Sequence, residues 1–362
     1  MKQNRMHGLT AVVLTALSLS AQAETITIGK GTGIVWEGLA FNHTLTGTLE
    51  SRSLNPIYGL LSISTDPARC IPSTRLRMIG GYLALPLNGV PGVGLVPRAS
   101  GTANYIRNNG ARHSLTGTIG LPNTQGQSTS DGAIGSPSGR EWCLPPAMTA
   151  SDPYYSSSGA RSATLAGTWA LVADGTQQQG IGTVPPMYFG SYAAAFAGDR
   201  WVQILPSSIN LRISTLECTV NTPLDINFGS VNHDATVNAE LGSRSYPLIT
   251  TCGQPSNHIN ANINLQFRAA SGIHASATTR LALNEGGGFV TGEINKGVTG
   301  SGACSGSTGI PFNNTPLKIG NITNVESSKT LDNQVTWRLC SGGNDMPIGK
   351  VTASAEMLVT FN

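Results

Sequence analysis

The chain has 362 residues, of which only 11% are charged, and its formal net charge is +3. Because no cluster of lysine and arginine occurs, the sequence argues against nucleic-acid binding. The length favours two domains, and 44 glycines spread among serine, threonine and asparagine favour short strands and turns.

The first residues have the pattern of a secretory signal peptide. Lys2 and Arg5 precede an apolar run from Leu9 to Leu19, and Ala21-Gln22-Ala23 supplies the small residues of a cleavage site. The apolar run is shorter than the roughly 20 residues that span a bilayer. We therefore expect removal of residues 1–23 without a remaining membrane anchor, which lowers the formal charge from +3 to +1.

Short runs rich in valine, isoleucine, leucine or aromatic residues predict β-strands along the rest of the chain. No helical periodicity over three turns follows the signal segment, so we predict an all-β protein. Examples of the predicted strands are Thr25–Ile28, Gly80–Leu85, Leu165–Val172, Arg200–Leu205 and Asn262–Phe267.

The best boundary between two domains is Pro206-Ser207-Ser208, because it separates two runs with strand character. We therefore expect a first domain over residues 24–206, a short linker over 207–210 and a second domain over 211–362.

Six cysteines follow the signal segment, and an even number in an exported chain indicates disulfide bonds in an oxidising compartment. Several pairings are open in principle. If each domain closes its own bridges, the spacing favours Cys70–Cys143, Cys218–Cys252 and Cys304–Cys340. No Cys-x-x-Cys pair occurs, so a zinc or redox site is not expected.

The second domain begins with a predicted strand region that contains Leu216, Cys218 and Val220 and ends in Phe228-Gly229-Ser230-Val231. Cys252 follows some thirty residues later. This arrangement fits a disulfide bond between the first two strands of an immunoglobulin-like sandwich.

At the C-terminus every second residue is apolar, and the residues between are polar except Leu358. This period of two predicts a strand that runs to the last residue. Such a strand has no successor in the chain, so one edge keeps unpaired N–H and C=O groups that another chain must complete. The apolar set is Val351, Ala353, Ala355, Met357, Val359 and Phe361.

The C-terminal segment resembles the pilins of the chaperone-usher family, whose last strand carries a penultimate aromatic residue and a glycine fourteen residues from the C-terminus. Phe361 and Gly349 match these positions, with phenylalanine in place of the commoner tyrosine. The pair Cys218–Cys252 also matches the family, whereas Cys304–Cys340 is an additional bridge. The resemblance implies an incomplete immunoglobulin-like domain that lacks its final strand.

The resemblance also implies how such a subunit is assembled. A periplasmic chaperone first lends a strand, and an adjacent fimbrial subunit then donates one, with an outer-membrane usher as a further partner. Gly349 and the apolar set would bind these strands. A large first domain in place of a short donor extension resembles the tip adhesins of type 1 and P fimbriae. It implies a lectin-like β-sandwich exported to the fimbrial tip at the cell surface.

Sugar recognition needs aromatic faces and hydrogen-bonding groups on loops held by a rigid sandwich. The most polar stretch of the first domain is Asn123–Gly139, and charged and aromatic residues follow it. We expect carboxylates to accept hydrogen bonds, Asn123 to accept or donate them, Arg140 to donate them, and a tyrosine ring to stack. The predicted ligand-binding residues are Asn123, Asp131, Arg140, Asp152, Tyr154 and Tyr155.

Other aromatic residues of the first domain fit the core better. Trp142 lies beside a cysteine, and Trp169 lies within a strand pattern, so both are expected to be buried. Weaker candidates for the ligand site are Trp36, Tyr58, Asn104 and Tyr105.

Motifs of enzymes are absent from the sequence. No Gly-x-Ser-x-Gly segment occurs, the carboxylates lack a glycosidase-like pairing, and the histidines are isolated. We therefore expect no catalysis, cofactor or metal, and a first domain that binds a host or surface glycan or glycoprotein. The alternative is a structural tip or initiator subunit whose first domain binds protein or no ligand.

Overall fold

The computed structural model describes residues 25–48, 59–67, 69–107, 109–145, 160–191, 201–206 and 209–362. In these ranges every element is a β-strand except two short 3-10 turns, Ser73–Arg75 and His274–Ser276. The predicted all-β class is confirmed. None of the helical segments in these ranges is long and apolar enough to cross a membrane. The predicted signal segment, residues 1–23, lies outside the described residues.

Seventeen strands lie in the described residues of the first part of the molecule. In chain order they are β1 (Thr25–Ile28), β2 (Thr32–Thr48), β3 (Leu61–Ser64), β4 (Ile71–Pro72), β5 (Arg77–Ile79), β6 (Tyr82–Pro86), β7 (Val93–Ile106), β8 (Arg112–Gly120), β9 (Gln125–Ser128), β10 (Gly132–Gly135), β11 (Arg140–Glu141), β12 (Cys143–Leu144), β13 (Ala160–Asp174), β14 (Gly180–Thr183), β15 (Met187–Gly190), β16 (Trp201–Leu205) and β17 (Asn210–Ile213).

Two antiparallel sheets enclose the first hydrophobic core. One sheet has the strand order β10-β9-β8-β7-β13-β2, and the other has the order β12-β3-β15-β16. A Cβ atom at Gly101 in β7 would lie 3.2 Å from the Leu61 side chain in β3, so the sheets pack face to face. Trp142 and Trp169 are both buried in this core, as expected.

Eight strands build the second part. They are β18 (Glu217–Asn221), β19 (Glu240–Gly253), β20 (Ala261–Ala269), β21 (Leu281–Ala282), β22 (Gly288–Ile294), β23 (Leu317–Ile322), β24 (Ser328–Ser341) and β25 (Ala355–Phe361). One sheet has the order β18-β19-β24-β22-β21. The opposite layer is formed by β25-β20-β23, which belong to a six-stranded sheet of order β14-β17-β1-β25-β20-β23. Leu216, Ile263, Leu265, Ile294 and Phe361 belong to the second core between them.

Three disulfide bonds join the cysteines of the described chain. They are Cys70–Cys143, Cys218–Cys252 and Cys304–Cys340, the pairing that the spacing favours. Cys218 and Cys252 lie directly opposite each other on β18 and β19. This bond therefore links the first two strands of the second sandwich, and no cysteine of the described ranges is free.

Most of the example strands coincide with strands of the structure. Thr25–Ile28 is β1, whereas the run from Gly80 becomes strand only at Tyr82. Gly80 and Gly81 have φ angles of +57° and +88° and connect Ile79 to Tyr82, which lie opposite each other in β5 and β6. Two glycines in this conformation form the tight turn of a β-hairpin, so they end the strand.

The first strand of the second part is shorter than predicted. β18 ends at Asn221, and no strand occurs over residues 222–239. The Asn227 side chain accepts a hydrogen bond from the Gly229 N–H at 2.8 Å, and Gly229 has a φ of +76°. The Phe228 carbonyl accepts a bond from the Arg244 guanidinium at 2.8 Å. The local Asn227 bond and the Arg244 contact therefore use backbone groups that a strand would pair with a neighbouring strand.

The chain passes from the first core to the second between Ile213 and Leu216. Ile209, Leu211 and Ile213 are buried in the first core, and Leu216 is buried in the second. The side chains at 211 and 213, which the sequence places in the second domain, therefore pack with the first. Ser207 and Ser208 of the predicted linker lie outside the described residues.

Candidate functional site

The inner side of β25 is fully paired. β25 runs antiparallel to β20, from Ala355 opposite Ala269 to Phe361 opposite Ile263. The pairing continues past the strand, because the Asn262 N–H donates to the Asn362 carbonyl at 2.8 Å. The backbone is thus paired to the last residue.

The outer side of β25 has almost no strand partner. Backbone groups of successive residues in an antiparallel strand point alternately to its two sides. Asn362 and Ser354 bond to the β20 side, so Ala355, Met357 and Val359 direct their N–H and C=O groups to the other side. No strand of the described ranges pairs with these three residues there. We call this backbone edge of Ala355, Met357 and Val359 the open edge.

The apolar set beside the open edge is only partly covered. Val351, Ala353, Met357 and Val359 pack against the second core but remain half-buried. Ala355 is exposed. A folded domain rarely leaves a row of apolar side chains beside unpaired backbone groups, since both favour occupation by another strand.

The segment before β25 differs from the predicted strand. β25 begins at Ala355, and residues 351–354 form no strand. The Thr352 N–H donates to a Glu285 carboxylate oxygen at 2.7 Å, and the Thr352 carbonyl accepts from Asn284 N–H at 2.8 Å. These contacts with the turn before β22 take up the groups that a strand ladder would use.

Gly349 has a backbone conformation that suits glycine. Its φ is +115°, and a Cβ atom there would have open space around it. The constraint on this position is therefore backbone strain rather than crowding, because side chains are rarely tolerated in this region.

β1 closes one end of the open edge. Thr27 lies opposite Phe361, and the chain leaves β25 at Gly29. A Cβ atom at Gly29 would lie 2.0 Å from the Leu216 carbonyl oxygen and 3.0 Å from the Phe361 ring. Only glycine lets the chain pass between these groups, so the free part of the edge ends before Phe361.

The second face of β25 lies against the first part of the molecule. Gln266 of β20 donates from its side-chain amide to the Glu37 carbonyl at 3.1 Å. The Arg98 guanidinium lies 3.1 Å from the Glu37 carboxylate and 3.7 Å from the Glu356 carboxylate, and Arg268 pairs with Glu356 at 2.8 Å. Glu356 of β25 and Gln266 of the neighbouring β20 thus contact residues of β7 and β2.

Asp131, a predicted ligand-binding residue, is engaged within the protein. It lies in the turn between β9 and β10, where the Arg107 guanidinium is 3.2 Å from one carboxylate oxygen. The other oxygen accepts hydrogen bonds from Ser128 at 3.1 Å and Ser130 at 2.5 Å. Both oxygens therefore hold the hairpin turn together.

Asn123 lies near the other end of this hairpin, whereas Arg140 lies in β11, opposite Pro72 of β4. Gly132 pairs with Ser128 beside the turn, whereas Gly135 pairs with Gln125 at the open end. Asn123, which precedes β9, is exposed and donates from its amide to the Gln125 side chain at 3.1 Å. At about 3.3 Å per residue, the four residues of β9 separate it from the Asp131 turn by about 13 Å. The structure therefore keeps Asn123 apart from Asp131.

The remaining candidates vary in accessibility. Asp152, Tyr154, Tyr155 and Tyr58 lie outside the described residues. Tyr105 is buried, and its hydroxyl lies within hydrogen-bond distance of Ser128 and Ser130. Trp36 is half-buried against the first core, whereas Asn104 is exposed.

Sequence reasoning did not single out the aromatic pair Tyr188 and Trp201. The ring centroids of this pair are 5.2 Å apart in an edge-to-face arrangement, and Trp201 is 45% exposed. The only signal in the sequence was a predicted strand over Arg200–Leu205. A strand pattern alone does not show whether the indole ring of Trp201 faces the core or the solvent.

The described residues contain no group of three or more His, Cys, Asp or Glu side chains that could hold a metal ion. His274 stacks on Phe289 with ring centroids 4.9 Å apart. Burial and then the nearby Arg280 charge lower the pKa of His274. This favours a neutral ring that packs against the core.

No family model and no curated protein sequence matches the chain. Among solved structures it is similar to the CupB6 tip adhesin from Pseudomonas aeruginosa, at 15% identity over 98% of this chain and 91% of that one, with a TM-score of 0.30. The CsuC–CsuE chaperone–tip adhesin pre-assembly complex of Acinetobacter baumannii Csu pili matches at 9% identity, with coverages of 94% and 98% and a TM-score of 0.24. The CFA/I adhesin CfaE of enterotoxigenic E. coli matches at 9% identity, with coverages of 93% and 97% and a TM-score of 0.22.

Proposed function

We propose that this protein is the tip adhesin of a chaperone-usher fimbria. The observation that carries the proposal is the open edge, where Ala355, Met357 and Val359 direct backbone groups outward beside half-buried apolar side chains. An extended segment of another chain would pair these groups and cover the apolar set. A periplasmic chaperone and then an adjacent subunit would supply this segment, with an outer-membrane usher as the site of exchange.

The pairing of β1 supports the proposed position at the end of the polymer. A subunit that donates a strand needs an extended segment that is free to leave. β1 instead pairs with β17 along its length, from Thr25 opposite Asn210 to Ile28 opposite Ile213, and Ile26 and Ile28 are buried. Withdrawing β1 would expose part of the first core. This argues that the subunit accepts a strand and keeps its own, as a tip subunit would.

The first part of the molecule would carry the receptor-binding function. Its two sheets form a rigid sandwich, and such scaffolds present variable loops and faces for recognition. We propose that it binds a host or surface glycan without catalysis. The carboxylates of Glu37 and Asp131 are already engaged by neighbouring residues.

Immunogold labelling of fimbriae on the bacterium that makes this protein tests the proposal. An antibody against the first domain should label fimbrial ends, with one cluster of gold for each filament. An antibody against the major shaft subunit serves as the control and should label along the length. Labelling of this protein along the shaft would contradict the tip position, and absence from fimbriae would contradict the function.

A further inference from the structure

We infer that the outer face of β15 and β16 is a carbohydrate-binding platform formed by Trp201, Tyr188 and Gln203. The inference rests on the glycan-binding function proposed above and gives that function a site. We call these three side chains the aromatic platform.

The strand register places the platform on one face. Trp201 lies opposite Gly190, and Gln203 lies opposite Tyr188. Phe189 and Val202, which alternate with them, pack against the first core. Because successive side chains of a strand point to opposite faces, the platform residues share the face away from that core.

The two rings support each other at the surface. Their centroids are 5.2 Å apart with an interplanar angle of 89°, an arrangement that aromatic pairs favour. Trp201 nevertheless remains 45% exposed, and its cross-strand neighbour Gly190 has no side chain to cover it. A fixed and accessible indole ring offers the flat apolar surface against which the C–H face of a sugar ring packs.

Hydrogen-bonding groups lie beside the rings. The Gln203 amide N–H donates to the Leu205 carbonyl at 3.1 Å, which restrains the side chain. Its Oε1 atom and the Tyr188 hydroxyl have no hydrogen-bond partner among the described residues. They can accept bonds from sugar hydroxyls, and the Tyr188 hydroxyl can also donate one. None of the three side chains is charged, so the platform fits a neutral hexopyranose.

A glycan array probed with the purified full chain tests the inference. The array would carry neutral and sialylated glycans, and the best neutral binder would then be titrated by calorimetry. Trp201→Ala should weaken binding at least about tenfold, because aromatic anchors commonly carry most of a binding energy. Gln203→Ala should weaken binding less. Ile181→Ala is the matched control, because Ile181 is a 74% exposed apolar residue outside the platform and its loss should leave binding unchanged.

Thermal unfolding of each variant separates binding from folding. Trp201 and Gln203 are both exposed, so we expect melting temperatures close to that of the unmodified chain. If the chain binds a glycan and both Trp201→Ala and Gln203→Ala bind it equally well, the platform is overturned while the glycan-binding function stands. If the unmodified chain binds no glycan, both are overturned.

Discussion

Thr27 lies directly opposite Phe361, and it is the one described residue that pairs with the outer side of β25 as part of a strand. Two residues later, an ideal Cβ atom at Gly29 would lie 3.0 Å from the Phe361 ring. An incoming strand can therefore pair with β25 only before Phe361, because β1 occupies the edge there. β1 also joins β25 of the second part to the first part of the molecule.

The first prediction concerns this closure. Gly29→Ala should destabilise the full chain by about 1–3 kcal/mol, because overpacking at a site with 2.0 Å clearance forces the backbone to move. Gly253→Ala is the control, since its Cβ would meet no atom closer than 4.0 Å. Urea unfolding measures both variants. Equal midpoints would show that β1 does not pack against Leu216 and Phe361.

The second prediction concerns capture of a strand at the open edge. Met357→Asp should abolish co-purification with the periplasmic chaperone, because an occupying strand would bury the new carboxylate without a partner. Ser354→Asp adds the same charge at an exposed residue outside the apolar set and should leave co-purification intact. Retention of the chaperone by the Met357 variant would argue against strand addition at this face.

The third prediction concerns the interface between the two parts of the molecule. The Glu37 side chain is 4% exposed and the Arg98 side chain 13% exposed, whereas that of Glu356 is 54% exposed. Arg98→Met should cost about 3–5 kcal/mol, because it leaves a buried carboxylate without its cation. Glu356→Gln should cost only about 0–1 kcal/mol, as is usual for an exposed pair.

Denaturant unfolding and a double variant check the interface prediction. Arg98→Met combined with Glu37→Gln should recover most of the lost stability, since neither partner then carries a charge. If Arg98→Met and Glu356→Gln lower the free energy of unfolding equally, the buried Arg98–Glu37 pair does not contribute more to stability than the exposed contact with Glu356.

The fourth prediction concerns acidic pH. The pKa of Glu285 lies below its ordinary value of 4.5, chiefly because the Thr352 backbone N–H donates to the carboxylate. A lowered pKa means that the contact contributes stability above pH about 4.5 and loses it as the pH falls through the folded-state pKa. NMR titration should show the Thr352 amide resonance moving with a midpoint below 4.5. Glu285→Gln should remove this step, and a midpoint at or above the ordinary value would contradict the contact.

The position of the last strand could be predicted because the alternation of apolar and polar residues lies within the segment itself. The alternation from Val351 to Phe361 predicts a strand with one apolar face. In the structure, β25 is paired with β20, and this pairing extends as far as Asn362. The start of the strand could not be predicted in the same way. Thr352 bonds to Asn284 and Glu285, which lie nearly seventy residues earlier, so a tertiary contact determines where β25 begins.

The contacts of Glu356 and the surface aromatic pair also depend on distant residues. Arg98 contacts both Glu37 and Glu356, which are far apart in the sequence, and no local pattern pairs these residues. The strand pattern around Trp201 predicts that alternate side chains point to opposite faces of a sheet, but it does not show which face packs against the core. The predicted acceptor role of Asp131 likewise depended on whether Arg107 and Ser130 were close, which sequence spacing alone does not show.

Amide hydrogen exchange at Met357 and Val359 tests the central claim most directly. The full chain would be compared with a variant that carries, after Asn362, a linker and an extended segment with apolar residues at alternate positions. A segment with aspartate at those positions is the control. We predict fast exchange at both amides in the unmodified chain and the control, and strong protection in the completed variant. Strong protection in the unmodified chain would show that the edge is already paired and would contradict the proposal.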